Sequence, residues 1–452
     1  MKPDPDTKPV VVIGGGWAGI AAAVELAHHN IPVVLLESAK QLGGRARSVH
    51  INDLHVDNGQ HMLLGAYEST LDLLRRIGVN KNDVLQRKPL SLQWHRPGKK
   101  PVSLNTPNLP APFHLAWALL TLQGLSLRDR LSALRFARRL EKSSFTLDND
   151  CSVADFLAQH HQSPALIHAL WEPLCIGALN THLHEASAQV FLRTLGDSFS
   201  HARSDSDLLL TRVNLGSVLP KPAADYIETH KGSVRLGQRA SALCIENGNI
   251  TGITIDDTSI ATNEVILATP HTTALRLLSP HDLLQETCQQ IALLQDRPIC
   301  TVYLQFDKTV QLGRWLCGSL GTISQWIFDR GLYGQHGLMA VVISGDGEHL
   351  QWDNQTLCTQ VAAEIATQYP QWPAPQSQQV IREKRATFAS TVNVNQHRPN
   401  AKTAVQGLWL AGDYTNTHLP ATLEGAVRSG RYSAQQIITA HRRQRHQRQE
   451  KT

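Results

Sequence analysis

Residues 10–19 constrain the fold of this chain more than any other stretch. Val10-Val11-Val12-Ile13 is an unbroken run of β-branched residues, and Gly14-Gly15-Gly16-Trp17-Ala18-Gly19 follows it directly. Such a run suits a strand covered on both faces, which means a parallel sheet flanked by helices. Ala18 to His28 reads as the helix after the turn and Val33-Val34-Leu35-Leu36 as a second strand, giving a βαβ unit. Within it the glycines fit G-x-G-x-x-G. Gly14 permits the tight turn, Gly16 lets a pyrophosphate approach the backbone, and Gly19 lets helix and strand pack closely. Gly15 and Ala18 complete the loop at the helix amino terminus, where partial positive charge favours an anion. Glu37 ends the second strand 18 residues beyond Gly19, where an acid accepts hydrogen bonds from ribose hydroxyls. The fold class is α/β, built on a dinucleotide-binding domain.

Three further segments choose the dinucleotide. Leu42-Gly43-Gly44-Arg45-Ala46-Arg47-Ser48 lies just beyond Glu37, and Asp57-Asn58-Gly59-Gln60-His61 follows. Gly43, Gly44 and Arg45 can wrap a pyrophosphate from a second side, joining backbone approach to a fixed cation. A nicotinamide domain does not need them. At the far end Ala411-Gly412-Asp413 closes a strand, and Leu419 to Val427 opens a helix through Leu423, Glu424, Gly425 and Ala426. A helix amino terminus facing a flavin pyrimidine favours negative charge on the reduced ring. Asp413 can accept bonds from ribityl hydroxyls. The three segments together indicate FAD.

At 452 residues the chain is long enough for two or three domains, and with 42% hydrophobic and 18% charged residues it is globular. No run of 18 apolar residues occurs, and the start Met1-Lys2-Pro3-Asp4-Pro5-Asp6 lacks a signal-peptide core, so the expected location is cytoplasmic. Seven scattered cysteines without a Cys-x-x-Cys pair point to reduced thiols, and the 22 histidines show no metal spacing, so no metal is assigned. The pattern divides into a discontinuous FAD domain (1–90, 215–290, 395–440), a substrate domain (91–214, 291–394) and a basic tail (441–452). The last helix is expected from about Thr422 to Thr439. Ser126 to Asp129 reads as a capping box opening a basic amphipathic helix, with Leu127, Leu131, Leu134 and Ala137 on its apolar face. Much of the formal charge of +5 lies in the basic tail, which reads first as a solvated end; the functional alternative is attraction to an acidic membrane surface, because the interleaved aromatics of a nucleic-acid binder are missing.

With these segments, the chain resembles FAD-dependent amine oxidase-like flavoproteins, the group that includes phytoene-type polyene desaturases. Within that group it is most similar to the squalene-associated branch, the bacterial hydroxysqualene dehydroxylases. The branch likeness rests on Trp171-Glu172-Pro173-Leu174-Cys175-Ile176-Gly177-Ala178-Leu179-Asn180, Ser206 to Val213, Val234-Arg235-Leu236-Gly237 and Gly412-Asp413-Tyr414-Thr415. The resemblance implies a Rossmann-like FAD domain interleaved with an α+β substrate domain. Gly14, Gly16, Gly19, Glu37, Gly44, Arg45, Gly59, Asp413, Glu424 and Ala426 would line the cofactor site, with the backbone of Ala240 at the adenine. Amine oxidases of this fold commonly carry a lysine facing the flavin; the corresponding Arg297 to Tyr303 has none. No cysteine near Tyr414 offers covalent attachment, so FAD is expected to be noncovalent.

The resemblance further implies a long apolar isoprenoid alcohol, hydroxysqualene, reduced to squalene in squalene and hopanoid biosynthesis, with the upstream squalene-pathway synthases as partners. Such a reaction needs an apolar tunnel, an acid for the departing hydroxyl and a reduced flavin. Glu172, Asp207 and Asp57 are candidates for the acid. Glu172 sits in an apolar setting that would raise its pKa, while Asp207 can equally cap a helix or pair with Arg212. No catalytic residue is assigned. A polyene desaturase or isomerase shares every flavin residue, and a lipid carrier without redox chemistry is the third reading. Leu115 to Leu122 and the basic helix after Ser126 fit two readings equally: a peripheral contact with the inner face of the cytoplasmic membrane, or an ordinary domain helix that covers its own core.

Overall fold

The computed structural model describes residues 8–449 apart from Asp53, Ser200 and Asp257; the Met1 to Asp6 start and the last three tail positions lie outside the described residues. A five-stranded parallel sheet takes its strands in the order Ser233–Leu236, Val33–Glu37, Val10–Ile13, Val265–Leu267 and Leu408–Leu410. The central strands are continuous hydrophobic runs because both of their faces are buried. Val10, Val12, Val33 and Leu35 pack with the helix Trp17–His28 and the carboxyl-terminal helix, whereas Val11, Ile13, Val34 and Leu36 belong to a separate core on the other face. The two helices meet closely at Gly430, where a Cβ would lie 1.9 Å from the Ala18 carbonyl oxygen. A three-stranded meander, Ala240–Glu246, Asn249–Ile255 and Thr258–Ala261, adds to the second face. Its first turn has positive φ at both Asn247 and Gly248, the backbone that a right-twisted hairpin requires.

A seven-stranded sheet forms the second layer system and includes Ser91–Arg96, Lys99–Asn105, Asp296–Gln305, Leu338–Ser344 and Ser377–Phe388. The strand period of two splits Asp296–Gln305 cleanly. Cys300, Val302 and Leu304 face a core closed by the helix Asn354–Gln368, and Ile299, Thr301 and Tyr303 face the interior of the molecule. Opposite them stand the helices Glu172–Leu179 and Ala188–Phe199.

Three details depart from the sequence reading. The last helix runs from Leu423 to Gln449, so it extends well past Thr439 through the basic tail, whose His441 Nε2 reaches Glu264 at 2.7 Å. Leu208–Thr211 is a strand, so Asp207 caps no following helix. In the helix Leu127–Lys142 the buried positions are Ala133, Leu134, Phe136 and Leu140, while Leu127 is 65% exposed. Ser126 does cap that helix, accepting from the Asp129 N–H at 3.2 Å. Among the described residues no helix is long and apolar enough to cross a membrane.

Candidate active site

Between the parallel sheet, the seven-stranded sheet and the two facing helices lies a cavity of about 580 Å³. Strand register builds its floor. Ile381 pairs with Thr301, Thr301 with Val342 and Val342 with Trp326, and all four side chains line the cavity as one transverse row. Helical spacing builds the opposite wall: Phe191, Thr194, Leu195, Ser198 and Phe199 lie on one stripe of their helix. Leu64, Leu90, Leu92, Leu208, Leu316 and Phe328 add further apolar surface.

The glycine loops close the polar end. Gly14 has φ +108°, and a Cβ there would lie 2.5 Å from the Ala268 carbonyl oxygen, so only glycine makes this turn. Gly43 N–H donates to the Gly15 carbonyl at 2.8 Å, and the Trp17 indole donates to the Ala46 carbonyl at 3.3 Å, locking the second loop onto the first. Arg45 then spans to the carboxyl-terminal segment, donating to Asp413 Oδ1 at 2.6 Å and to the Ala386 carbonyl at 2.8 Å. Burial opposes the charge on Arg45, but the adjacent Asp413 carboxylate outweighs it and holds the pKa above the ordinary value.

The residues present fit a flavin dinucleotide. The helix Trp17–His28 has Gly16 at its N-cap with no side-chain cap, so its first N–H groups are open to an anion. A Cβ on Gly16 would meet nothing nearer than Gly44 Cα at 3.9 Å, which leaves a cradle beside those groups. Thr269 Oγ1 and Thr301 Oγ1 are buried on the cavity wall without a hydrogen-bond partner in the protein. Thr301 lies within Arg297 to Tyr303, the stretch that has no lysine.

Of the residues singled out from sequence, Gly16, Ala18, Gly43, Gly44, Arg45, Gly59, Gln60, His61, Gly412, Asp413, Leu423 and Ala426 line this cavity. Gly14, Gly15 and Gly19 lie behind the wall and shape the turn. Glu37 accepts from Gly15 N–H and Ala39 N–H, each at 2.7 Å, and its carbonyl accepts from Gln238 N–H at 2.9 Å. This places the start of the Ala240 strand near Glu37, outside the enclosed part of the cavity. Glu424 does not line the cavity. Its carboxylate is turned to the helix Glu68–Arg76, accepting from Ser69 N–H, Thr70 N–H and Thr70 Oγ1 and pairing with Arg428. That helix has no side-chain cap of its own, and Glu424 supplies the missing acceptor.

The three candidate acids also stand elsewhere. Glu172 is partly exposed and pairs with His168 at 3.0 Å, so the apolar setting read from the sequence is not found. Asp207 pairs with Arg87 at 3.2 Å and Arg203 at 3.3 Å, not with Arg212. Asp57 is buried behind the wall, accepting from Leu215 N–H at 2.8 Å, with Arg330 3.8 Å away. His61 is the imidazole that does reach the cavity. Its Nδ1 lies 3.3 Å from the Gly59 carbonyl, so a proton there is donated to that oxygen and Nε2 is the nitrogen that titrates. Burial holds its pKa below the ordinary value, opposed by the Asp57 carboxylate and the Gly59 carbonyl and reinforced by Arg45.

Residues 17–438 match the model of the family described as flavin containing amine oxidoreductase. The chain belongs to this family. It is 27% identical over 434 residues to a hydroxysqualene dehydroxylase of Zymomonas mobilis, covering 94% of this chain and 97% of that protein. A hydroxysqualene dehydroxylase of Rhodopseudomonas palustris is also 27% identical, covering 96% of this chain and all of that protein. Among solved structures, cyclohexylamine oxidase from Brevibacterium oxydans superposes with a TM-score of 0.73 at 16% identity, over 96% of this chain and 100% of that one. That likeness shows the shared amine oxidase fold. The protein is a flavin-dependent oxidoreductase.

Proposed function

We propose that this flavoprotein removes the hydroxyl group of hydroxysqualene to give squalene, using noncovalently held FAD. The observation that carries the reading is the division of the cavity. Glycine loops, Arg45 and Asp413 gather together, and Leu64, Leu90, Leu92, Leu208, Leu316 and Phe328 give the cavity an apolar surface suited to an isoprenoid chain, with Thr194, Ser198 and Thr301 set among the apolar side chains. The names of the curated relatives support the substrate.

In the reaction the carbon–oxygen bond breaks, the oxygen takes one proton and leaves as water, and the carbon gains a hydride. Reduced FAD, when bound, supplies that hydride. The chain excludes water along the apolar walls, fixes the cofactor with the two glycine loops, and must deliver a proton to the leaving oxygen. Of the ionisable side chains on the described wall, Arg45 and Asp413 are paired with each other, Arg47 donates to the Gly44 carbonyl, and Glu383 accepts from Asn58. Burial raises the Tyr67 hydroxyl far above its usual range. His61 is the group left to hold the proton, at Nε2. Because burial lowers its pKa, with Asp57 and Arg45 as its charged neighbours, the imidazolium is populated only towards acid pH. Single-turnover rates should therefore rise as pH falls and then level off, and His61→Gln should flatten this limb. An identical pH profile in His61→Gln would place the proton elsewhere.

No cysteine stands on the described cavity wall, so acid precipitation should release all the flavin, and chromatography should identify it as FAD. Flavin that stays on the denatured chain would contradict noncovalent binding. A polyene desaturase would run the redox step the other way. The oxidised protein mixed anaerobically with squalene should stay yellow; bleaching would move the assignment to a desaturase.

A further inference from the structure

The helix Phe113–Leu120 is apolar on both of its faces, yet it lies at the surface. His114, Ala118 and Leu119 are buried, while Phe113 is 63% and Trp117 53% exposed, and Leu120 continues their stripe at the same helical spacing. Leu109 before the helix and Leu127 after it are exposed too. Five of the ten exposed large apolar side chains among the described residues thus fall between residues 109 and 127. A helix that is apolar all round normally lies inside a protein or a membrane, so something covers this face.

Charge indicates what covers it. Residues 101–127 contain no Asp, Glu, Lys or Arg. Over residues 85–142 there are 11 basic and two acidic side chains, although the whole chain has 43 and 38; the remainder is therefore more acidic than basic. Arg128, Arg135, Arg138, Arg139 and Lys142 repeat along the exposed side of the helix that Leu127 opens. An uncharged apolar stripe with aromatic rings, bordered by cations of one sign, is the chemistry of a helix lying in the interface of an anionic bilayer.

The stripe is also joined to the cavity. His114, on the inner face of the same helix, lies 3.2 Å from Ser206 Oγ, and Ser206 lines the cavity. Thr106, just before Leu109, donates from both N–H and Oγ1 to the carbonyl of Leu90, another lining residue, at 3.0 Å each. We propose that Phe113, Trp117, Leu120 and the basic face of Leu127–Lys142 dock this protein on an anionic lipid bilayer. There the cavity wall at Ser206 and Leu90 lies next to the membrane that holds an isoprenoid substrate. The docking rests on the surface itself; only its purpose rests on the proposed reaction.

The test is flotation of the full-length, flavin-loaded protein with phosphatidylcholine vesicles, with and without phosphatidylglycerol, and no substrate present. The protein is expected to float with the anionic vesicles, less so at high salt. The Phe113→Ser/Trp117→Ser variant should lose about a hundredfold in partitioning, with an unchanged flavin spectrum and unchanged turnover of detergent-dispersed alcohol. Arg135→Glu/Arg138→Glu, on exposed positions, should abolish the preference for anionic lipid. Equal recovery with both vesicles, recovery with neither, or undiminished flotation of the variants would overturn the proposal. A wild-type dimer in solution that the Phe113/Trp117 variant dissociates would also overturn it, by showing that a second copy covers this face. Failure to turn over hydroxysqualene, with flotation intact, would count against the reaction and not against docking.

Discussion

Gly16→Val is expected to give a folded protein that has lost its flavin, whereas Gly19→Val is expected not to fold. The two glycines are three residues apart in one motif, but their surroundings differ. Gly16 has φ −73° and ψ 177°, a conformation open to any residue, and its added Cβ meets only Gly44 Cα at 3.9 Å. Valine methyl groups would fill the cradle beside the uncapped helix amino terminus, where an anionic pyrophosphate would otherwise sit. Flavin affinity should fall by about a hundredfold or more, on the order of 2.7 kcal/mol, with little change in the apoprotein's melting temperature. A Cβ on Gly19 would lie 1.9 Å from the Gly14 carbonyl oxygen and 3.2 Å from Ala268 Cβ. Gly14 cannot retreat, because it is itself wedged against Ala268, so the cost is about 3 kcal/mol or more. Circular dichroism with flavin fluorescence separates the two outcomes. Normal flavin content in Gly16→Val would mean that the loop does not hold the cofactor.

The second large effect is expected at Arg398, a residue that no motif pointed to. The residue is 2% exposed, and its guanidinium is wrapped by the segment that carries Asp413. It donates to the carbonyls of Asp413 at 2.8 Å, Thr415 at 2.5 Å and Leu419 at 2.7 Å, to Thr417 Oγ1 at 2.8 Å and to Asn395 Oδ1 at 3.0 Å. The ring of Phe388 lies 4.8 Å from it. Burial pushes its pKa down to about 10, against the pull of Asp413, so it remains charged at neutral pH. Arg398→Ala would leave several buried carbonyls without a donor, at a cost of about 3–5 kcal/mol. Since those carbonyls belong to the segment that positions Asp413 opposite Arg45, flavin affinity should fall with stability. Arg398→Lys should do nearly as badly, because one ammonium cannot span acceptors spread over a planar fork. Melting temperature and flavin titration check both variants; a melting temperature like that of the wild type in Arg398→Ala would show that the segment holds without this guanidinium.

Local signals in the sequence were strong where the chain solves a local problem. Val10 to Ile13 had to be buried on both faces, and alternate residues of that strand do enter two different cores. Gly14 and Gly19 had to be glycine, and the turn they form leaves no room for a Cβ. What the sequence could not reveal is set by contacts across hundreds of residues. The cavity floor depends on the register that brings Ile381, Thr301, Val342 and Trp326 into one row across four strands. The family resemblance implied Glu424 as a cofactor residue, and its neighbours Leu423 and Ala426 do line the cavity. Its carboxylate is instead taken by the N–H groups of a helix start 355 residues earlier in the chain. Leu127 fitted the apolar spacing of its helix and nevertheless faces outward, since the packing face of that helix is set by Phe136 and Leu140. His61 was visible within Gly59-Gln60-His61, but nothing local distinguished an imidazole on the cavity wall from one buried behind it.

Removal of the hydroxyl group by the reduced flavoprotein is tested by an anaerobic single turnover. Photoreduced protein mixed with hydroxysqualene in detergent should form one squalene per bound flavin, while the absorbance of oxidised flavin returns at the same rate. Reduced flavin that stays reduced, with hydroxysqualene recovered unchanged, would show that this flavoprotein does not remove the hydroxyl group.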